Sequence, residues 1–193
     1  MSLNNLTYIN EIDGKSDDEI IDLYIERIAI KDKDALAGLY HMTSASVYSL
    51  ALSILKNMHD AEDVLHDTYL SIFSTASSYK SMKKPLAWIL TITRNLSLMK
   101  LRDRKKTAEL PPEDWNSTFD SLPSVTPEDK LVLAACMRKL SDEEQQIVML
   151  HAVSGFKHRE VAQFLSLPLS TVLSKYHRAI KKLRVFLTEG ELK

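Results

Sequence analysis

Basic side chains are concentrated in two segments of this chain, and that pattern is suited to binding a polyanion. Residues 80–106 contain nine Lys or Arg and a single acid, Asp103, whereas residues 157–184 contain seven Lys or Arg and a single acid, Glu160. Acids dominate residues 11–34 instead, so the formal net charge of the whole chain is only -1. Two basic segments on an otherwise acidic chain predict two separate contacts with a polyanion such as nucleic acid.

Residues 60–73, DAEDVLHDTYLSIF, predict an amphipathic helix with an unusual polar side. At about 100° per residue, one side carries an apolar stripe of Val64, Leu65, Thr68, Tyr69 and Ile72. The opposite side carries Asp63, His66, Asp67 and Leu70, at positions i, i+3, i+4 and i+7. Two interpretations remain open at this point. The side is either a solvated face with one surface leucine, or a docking face in which Leu70 supplies apolar contact and the acids supply orientation.

No pattern in the sequence predicts a catalytic centre, a cofactor or a metal. The chain lacks a glycine-rich phosphate loop, a GxSxG motif and an HExxH motif. The six histidines are scattered, and the pairs His59 with His66 and His151 with His158 have no further ligands beside them. The single cysteine, Cys136, lies among apolar residues and is predicted to be a small buried side chain in a reducing compartment.

Composition predicts an all-α protein located in the cytoplasm. Of 193 residues, only four are glycine and six are proline, too few for the frequent turns of a β protein. No apolar run approaches the roughly 20 residues of a membrane span. The N-terminal residues lack the basic and apolar regions of a signal peptide, so membrane insertion is not expected.

The helices that position these residues are indicated by caps and apolar spacing. Ser16 with Glu19 forms a capping box for a first helix, and Asp34 is predicted to cap the second. The segment KNMHD ends the second helix, the DAED helix follows, and STASSYKSMKK reads as a polar loop. Pro85 suits the first turn of a largely buried fourth helix.

The chain is predicted to form two small helical domains joined by a flexible acidic linker. The predicted parts are a tail at 1–18, a domain at 19–106, a linker at 107–126 and a second domain at 127–193. Three prolines and several acids mark the linker, and a fourth proline, Pro127, follows it directly. Trp115 and Phe119 within it either pin it to a surface or pack in a local turn. The second domain is predicted to begin with a helix over about 127–140, followed by one that Ser141 and Glu144 cap.

Residues 159–184 predict a helix-turn-helix. A short helix at 159–165 is followed by the turn SLPLS and by a longer helix for which Ser170 is the predicted N-cap. The inner face of the longer helix holds Val172, Tyr176, Ala179, Ile180, Leu183 and Leu187. The outer face, suited to bases and phosphates in a major groove, holds Thr171, Ser174, Lys175, Arg178 and Lys181. The alternative is an ordinary terminal amphipathic helix with a solvated basic face.

Taken together, these segments resemble the two conserved domains of an extracytoplasmic-function sigma factor, a group in the sigma-70 family of bacterial RNA polymerase. The resemblance rests on DAEDVLHDTYLSIF, on PLAWILTITRNLSLMKLRDRKK, and on LSDEEQQIVMLHAVSGFKHREVAQFLSLPLSTVLSKYHRAIKKLR, which occur in the family's order over about residues 19–188. It implies a subunit, not itself an enzyme, that binds core RNA polymerase, recognises promoters and opens the duplex.

The resemblance also implies roles for particular residues. The DAED helix would dock on the polymerase clamp through Asp63, His66, Asp67 and Leu70, and the second domain would bind the polymerase flap. The unpaired minus-10 strand would be held by Tyr79, Lys83, Lys84, Trp88, Arg94, Asn95 and Arg102, with the alternative for Trp88 being core packing. The minus-35 duplex would be read through Thr171, Ser174, Lys175, Arg178 and Lys181. A regulatory anti-sigma factor would be a further partner.

Some positions depart from the family pattern. His66 and Asp67 replace the usual Gln-Glu, and Leu173 and Met99 stand where a basic residue and an aspartate are common. Ser166 replaces a glycine in the turn, so it must adopt a backbone conformation that glycine takes more easily. Two other functions remain as alternatives: a helix-turn-helix regulator that binds DNA unaided, and a helical adaptor that binds only protein.

Overall fold

The computed structural model describes residues 14–81, 83–107 and 137–190, and these residues form helices without any β-strand. The helices are α1 Asp17–Ala29, α2 Lys33–Leu55, α3 Met58–Thr75, α4 Pro85–Thr107, α5 Asp142–Ala152, α6 His158–Leu165 and α7 Leu169–Gly190. A 3-10 turn, Ala76–Ser78, follows α3. The all-α prediction is confirmed. Outside the described residues lie the start of the tail, nearly all of the predicted linker with Trp115 and Phe119, Cys136, and most of the helix predicted over 127–140.

Side-chain caps explain where α1 and α2 begin. The Glu19 carboxylate accepts a hydrogen bond from the Ser16 backbone N–H at 2.8 Å, which confirms the predicted capping box. The prediction that Asp34 caps α2 was wrong. Asp32 is the N-cap, because its Oδ1 accepts hydrogen bonds from the backbone N–H groups of Asp34, at 2.9 Å, and Ala35, at 3.2 Å. Asp34 already lies in the first helical turn, so its own side chain is past the capping position.

The helix-turn-helix is formed by α6 and α7, with one difference from the prediction. Helix α7 begins at Leu169, so Ser170 lies in its first turn and is not the N-cap. The carbonyl of Ser170 instead accepts a hydrogen bond from the Ser174 hydroxyl at 2.8 Å. Ser166 adopts φ 56° and ψ 40° after α6, the left-handed conformation that its replacement of glycine requires.

Two groups of helices pack against each other. Helices α1 to α4 enclose a core of Ile25, Ile28, Leu39, Leu50, Ile72, Ile89 and Leu90. The cluster continues into α5, α6 and α7 through Ile147, Leu150, Val161 and Val172. Close approach of α1 and α2 depends on Gly38, because a Cβ there would lie 2.5–2.7 Å from atoms of the Tyr24 ring. The two predicted domains therefore share an apolar cluster in this structure.

Polar contacts of two lysines join the same groups of helices at their edges. Lys56, which ends α2 in a left-handed conformation, donates from Nζ to Asp142 at 2.8 Å and to Gln145 at 2.5 Å. Lys84, just before α4, forms an ion pair of 2.8 Å with Glu160 in α6. None of the helices in the described ranges has a stretch long and apolar enough to cross a membrane.

Candidate binding surfaces

Helix α3 presents the polar side that the sequence predicts. The stripe of Val64, Leu65, Thr68, Tyr69 and Ile72 is buried against the neighbouring helices. The other side, Asp63, His66, Asp67 and Leu70, is exposed, and we call it the α3 face. Leu70 exposes 68% of its surface. The structure thus brings the four predicted docking residues together on one accessible helix face.

An apolar groove of about 460 Å³ lies beside the α3 face and extends it. Leu36 and Tyr40 of α2 form one wall, and His66, Tyr69 and Leu70 of α3 form the other. The Tyr40 and Tyr69 rings are 4.9 Å apart between centroids. Sequence reasoning missed Leu36 and Tyr40, because helical spacing places a residue on the apolar side of α2 without saying whether another helix covers it.

The acids at the start of α3 are paired with bases of α4. Lys100 Nζ lies 2.6 Å from Asp63 Oδ2 and 3.3 Å from Asp60 Oδ1, and Arg104 pairs with the other oxygen of Asp60. Two bases of the first basic segment therefore balance acids within the fold. Asp67 and His66 are the polar residues of the α3 face for which no such pairing with another described residue is found.

One side of α4 carries the residues predicted to hold a single strand. Trp88, Asn95 and Arg102 follow each other at intervals of seven residues, two turns apart, so they form one stripe along the helix. Asn95 and Arg102 are exposed, and Met99, 54% exposed, lies in the same stripe. Arg94 is half-buried at the flank of the stripe.

Trp88 is half-buried and has two sets of neighbours. It packs against the apolar core, and its ring lies 4.7 Å from the Tyr79 ring between centroids. The two interpretations of Trp88, core packing and a surface for stacking, are therefore compatible. Lys83 and Lys84 are exposed in the loop before α4, with Lys83 at φ 61°.

A pocket of about 340 Å³ lies between the loop before α4 and the helix-turn-helix. Asp18, Lys84, Glu160 and Phe164 are among its lining residues. The hydrogen bond from Lys84 lowers the pKa of Glu160, and burial together with the charge of Glu160 raises the pKa of Asp18. Glu160 is thus a carboxylate that contacts Lys84, a lysine predicted to contact DNA. The two residues are far apart in the chain, so the sequence does not reveal this contact.

Helix α7 separates an inner from an outer face as predicted. Val172 and Ala179 are fully buried on the inner face. The outer residues differ in their surroundings: Ser174, Arg178 and Lys181 are exposed, and Thr171 and Lys175 are half-buried. Lys175 Nζ forms an ion pair of 2.8 Å with Glu143 of α5. The structure therefore leaves Arg178 and Lys181 as the more accessible cations of this face.

Two of the scattered histidines, His151 of α5 and His158 of α6, meet beside α7. The His151 and His158 rings lie 4.2 Å apart, and the Tyr176 ring meets both edge-on. Burial, with the charges of His151 and His177, lowers the pKa of His158 from its usual 6.5. Within the described ranges, no group of three or more His, Cys, Asp or Glu is placed to hold a metal ion.

Two family models match this chain in the order that the structure displays. The model described as Sigma-70 region 2 matches residues 39–107, which include α3, the loop and α4. The model described as Sigma-70, region 4 matches residues 130–183, which include α5, α6 and most of α7. Together they cover most of the chain. They include the three candidate surfaces, which are the α3 face, the exposed stripe of α4 and the outer face of α7.

Similar proteins and structures extend this match. The chain is 28% identical over 178 residues to an ECF RNA polymerase sigma factor SigK of Mycobacterium ulcerans, covering 89% of this chain and 94% of the relative. It is 26% identical to a SigK of Mycobacterium sp. strain KMS, covering 85% and 89%.

Two solved structures share the fold. One is the sigma factor RpoE in complex with the anti-sigma factor NepR from Bartonella quintana, with TM-score 0.63, 20% identity, and coverage of 77% of this chain and 94% of that one. The other is CnrH in complex with the cytosolic domain of CnrY, with TM-score 0.59, 18% identity, and coverage of 88% and 98%.

Proposed function

The chain belongs to the sigma-70 family as an ECF RNA polymerase sigma factor, and on this premise we propose how its three surfaces divide the work of transcription initiation. As a sigma factor it binds core RNA polymerase and directs promoter recognition. The observation that carries this function is the occurrence of both sigma-70 regions, in order, over most of one helical chain. We further propose that it acts as a dissociable subunit and performs no catalysis of its own.

Core polymerase docks on the α3 face in this proposal. Leu70 is supported as the apolar anchor by its exposure and by the groove that continues from it towards Tyr40. Asp67 and His66 supply the polar contacts that fix the orientation of a partner. Asp63 takes part less directly, because Lys100 already neutralises it.

The unpaired minus-10 strand lies along the exposed stripe of α4 in this proposal. Trp88 and Tyr79 offer aromatic surfaces on which unpaired bases stack, and Asn95 offers a side-chain amide for base edges. Arg102, Arg94, Lys83 and Lys84 supply cations for the backbone. Lys84 must leave Glu160 to do so, so strand capture is coupled to separation of α6 from the loop.

The minus-35 element is bound as duplex by the outer face of α7 in this proposal. Thr171 and Ser174 lie near the N-terminal end of the helix, where a recognition helix meets base edges. Arg178 and Lys181 follow one turn apart and are suited to phosphates or guanines. Lys175 can join them once it leaves Glu143. The flap of the polymerase is the proposed partner of the rest of this domain.

An anti-sigma factor is the proposed regulatory partner. One solved structure of similar fold holds the sigma factor RpoE in complex with the anti-sigma factor NepR, and the other holds CnrH in complex with the cytosolic domain of CnrY. A protein of this class that covers the α3 face would block core binding directly.

Run-off transcription with purified core polymerase tests the proposed function. We expect core plus this chain to start transcripts from a subset of genomic promoter fragments on which core alone is silent. If no fragment yields a transcript, the sigma-factor assignment of activity is wrong. A gel shift with the same fragments then separates the alternatives, since a stand-alone regulator binds free duplex unaided and a protein-only adaptor does not.

A further inference from the structure

Asp22 connects α1 to the loop that precedes α4. Its Oδ1 accepts a hydrogen bond from the Tyr79 hydroxyl at 2.5 Å, and its Oδ2 accepts one from the Ser81 hydroxyl at 2.7 Å. These bonds span 57 and 59 residues of sequence. One carboxylate thus holds two neighbouring loop residues through both of its oxygens. Asp22 lies outside both segments that the family models match.

Apart from Asp22 and the ion pair of Lys84 with Glu160, the loop has few restraints among its described residues. After the 3-10 turn ends at Ser78, residues 80, 81, 83 and 84 are exposed. The backbone of Lys83 takes a left-handed conformation that residues other than glycine rarely adopt. The Ser81 hydroxyl also accepts a hydrogen bond from the Lys83 backbone N–H at 3.4 Å. The bond from Ser81 to Asp22 therefore anchors the position at which the loop turns.

Tyr79 transmits this anchoring to Trp88. Its hydroxyl is fixed by Asp22 while its ring contacts the Trp88 ring at 4.7 Å, with an angle of 51° between the planes. Burial, and then the hydrogen bond to Asp22, raise the pKa of Tyr79, so the hydroxyl stays protonated and continues to donate. A fixed Tyr79 limits the positions open to the loop beside the aromatic surface.

We propose that Asp22 is a positioning residue for capture of the unpaired minus-10 strand, which it serves by holding Tyr79 and Ser81 in place beside Trp88. This inference rests on the proposed function, since it concerns the same surface. Asp22 does not contact DNA in this account. Without it, the loop must be ordered at the moment of binding, and that ordering reduces affinity.

Removal of Asp22 is expected to change the affinity for the strand in the direction opposite to that of a simple charge effect. An acid near a DNA-binding surface repels phosphate, so its removal alone tightens binding. If Asp22 positions the loop, its removal weakens binding instead. We expect Asp22→Ala to weaken strand binding by about tenfold, which corresponds to the loss of roughly one hydrogen bond to a charged group.

The experiment uses holoenzyme reconstituted from core polymerase and the full chain. The probe is the non-template strand around the minus-10 element of a promoter found active in run-off transcription, and its affinity is measured by fluorescence anisotropy. Asp22→Ala and Asp22→Asn have the same charge, but asparagine keeps an oxygen that accepts from Tyr79. Glu26→Ala is the matched control, because Glu26 is an exposed acid one turn further along α1.

We expect the affinity to decrease in the order wild type, Asp22→Asn, Asp22→Ala, with Glu26→Ala equal to or tighter than wild type. Tyr79→Phe, which removes only the hydroxyl, should reproduce part of the loss and should add little to it in combination with Asp22→Ala. Tyr79→Phe also tests the inference if Asp22→Ala fails to fold. Two results overturn the inference while leaving the proposed function intact. One is wild-type affinity in Tyr79→Phe together with wild-type affinity in either Asp22 variant. The other is tighter binding in both Asp22 variants. A wild-type holoenzyme that starts no transcript overturns the proposed function first.

Discussion

Leu70→Ala gives the most direct test of the proposed docking of core polymerase on the α3 face. Leu70 exposes 68% of its surface in the free chain, and complete burial of a leucine side chain is worth about 1.5–3 kcal/mol. A partner that covers the exposed two thirds or so therefore gains about 1–2 kcal/mol from this side chain. Removing most of it should weaken binding to core polymerase by about 5- to 30-fold.

The assay is competition between labelled wild-type chain and unlabelled variant for a limiting amount of core polymerase. Met42→Ala is the matched control, because Met42 is also an exposed apolar residue, 37% exposed, but lies on the side of α2 away from the groove. Neither variant should shift the thermal midpoint much, since neither side chain belongs to the core. Equal competition by wild type and Leu70→Ala, with both chains folded, would refute the reasoning that places the anchor on this face.

Three further changes test other parts of the molecule. Glu160→Gln removes the charge that holds Lys84 but keeps an oxygen that can accept from the Lys157 backbone N–H, as Glu160 does at 2.9 Å at the start of α6. We therefore expect the holoenzyme to bind the minus-10 strand up to about fivefold more tightly in the anisotropy assay. Arg178→Ala should weaken binding of the minus-35 duplex by about 1–3 kcal/mol in a gel shift, without changing affinity for the single strand. The neutral form of His158 is favoured in the fold, so the stability it contributes is fully present above pH 6.5 and is lost as the pH falls through its lower folded pKa. We expect urea denaturation to show a smaller loss of stability below pH 6.5 in His158→Gln than in wild type.

Each of these expectations has a contrary result. Weaker strand binding by Glu160→Gln would mean that the ion pair orders the loop and does not restrain it. An unchanged duplex affinity in Arg178→Ala would remove α7 from the reading of minus-35. Parallel pH profiles of wild type and His158→Gln would show that protonation of His158 is not coupled to folding.

Local signals in the sequence were enough to predict the helices and their faces. The spacing of apolar residues in DAEDVLHDTYLSIF determines which side of α3 is buried, because the helical period fixes side-chain direction. The family resemblance places Ser166 where a glycine is usual, and Ser166 takes the left-handed conformation expected at that position. The resemblance to sigma factors rested on such segments and was confirmed by both family models.

Helix boundaries were predicted less well. Asp34 and Ser170 each lie inside a helix that another residue begins. Several nearby residues can cap a helix, and the backbone conformation of the residue before the first turn decides among them.

Contacts between residues far apart in the chain were decided only by the tertiary structure. Helical spacing alone describes Tyr40 and Leu39 as neighbours on an apolar stripe, yet packing buries Leu39 completely and leaves Tyr40 in an open groove. The pairing of Asp22 with Tyr79, and of Lys84 with Glu160, depends on how the helices cross. The sequence thus determined the helices and their chemistry. Packing decided which charged groups stay exposed and which form ion pairs within the fold, because ion pairs and grooves form between elements that the chain brings together only on folding.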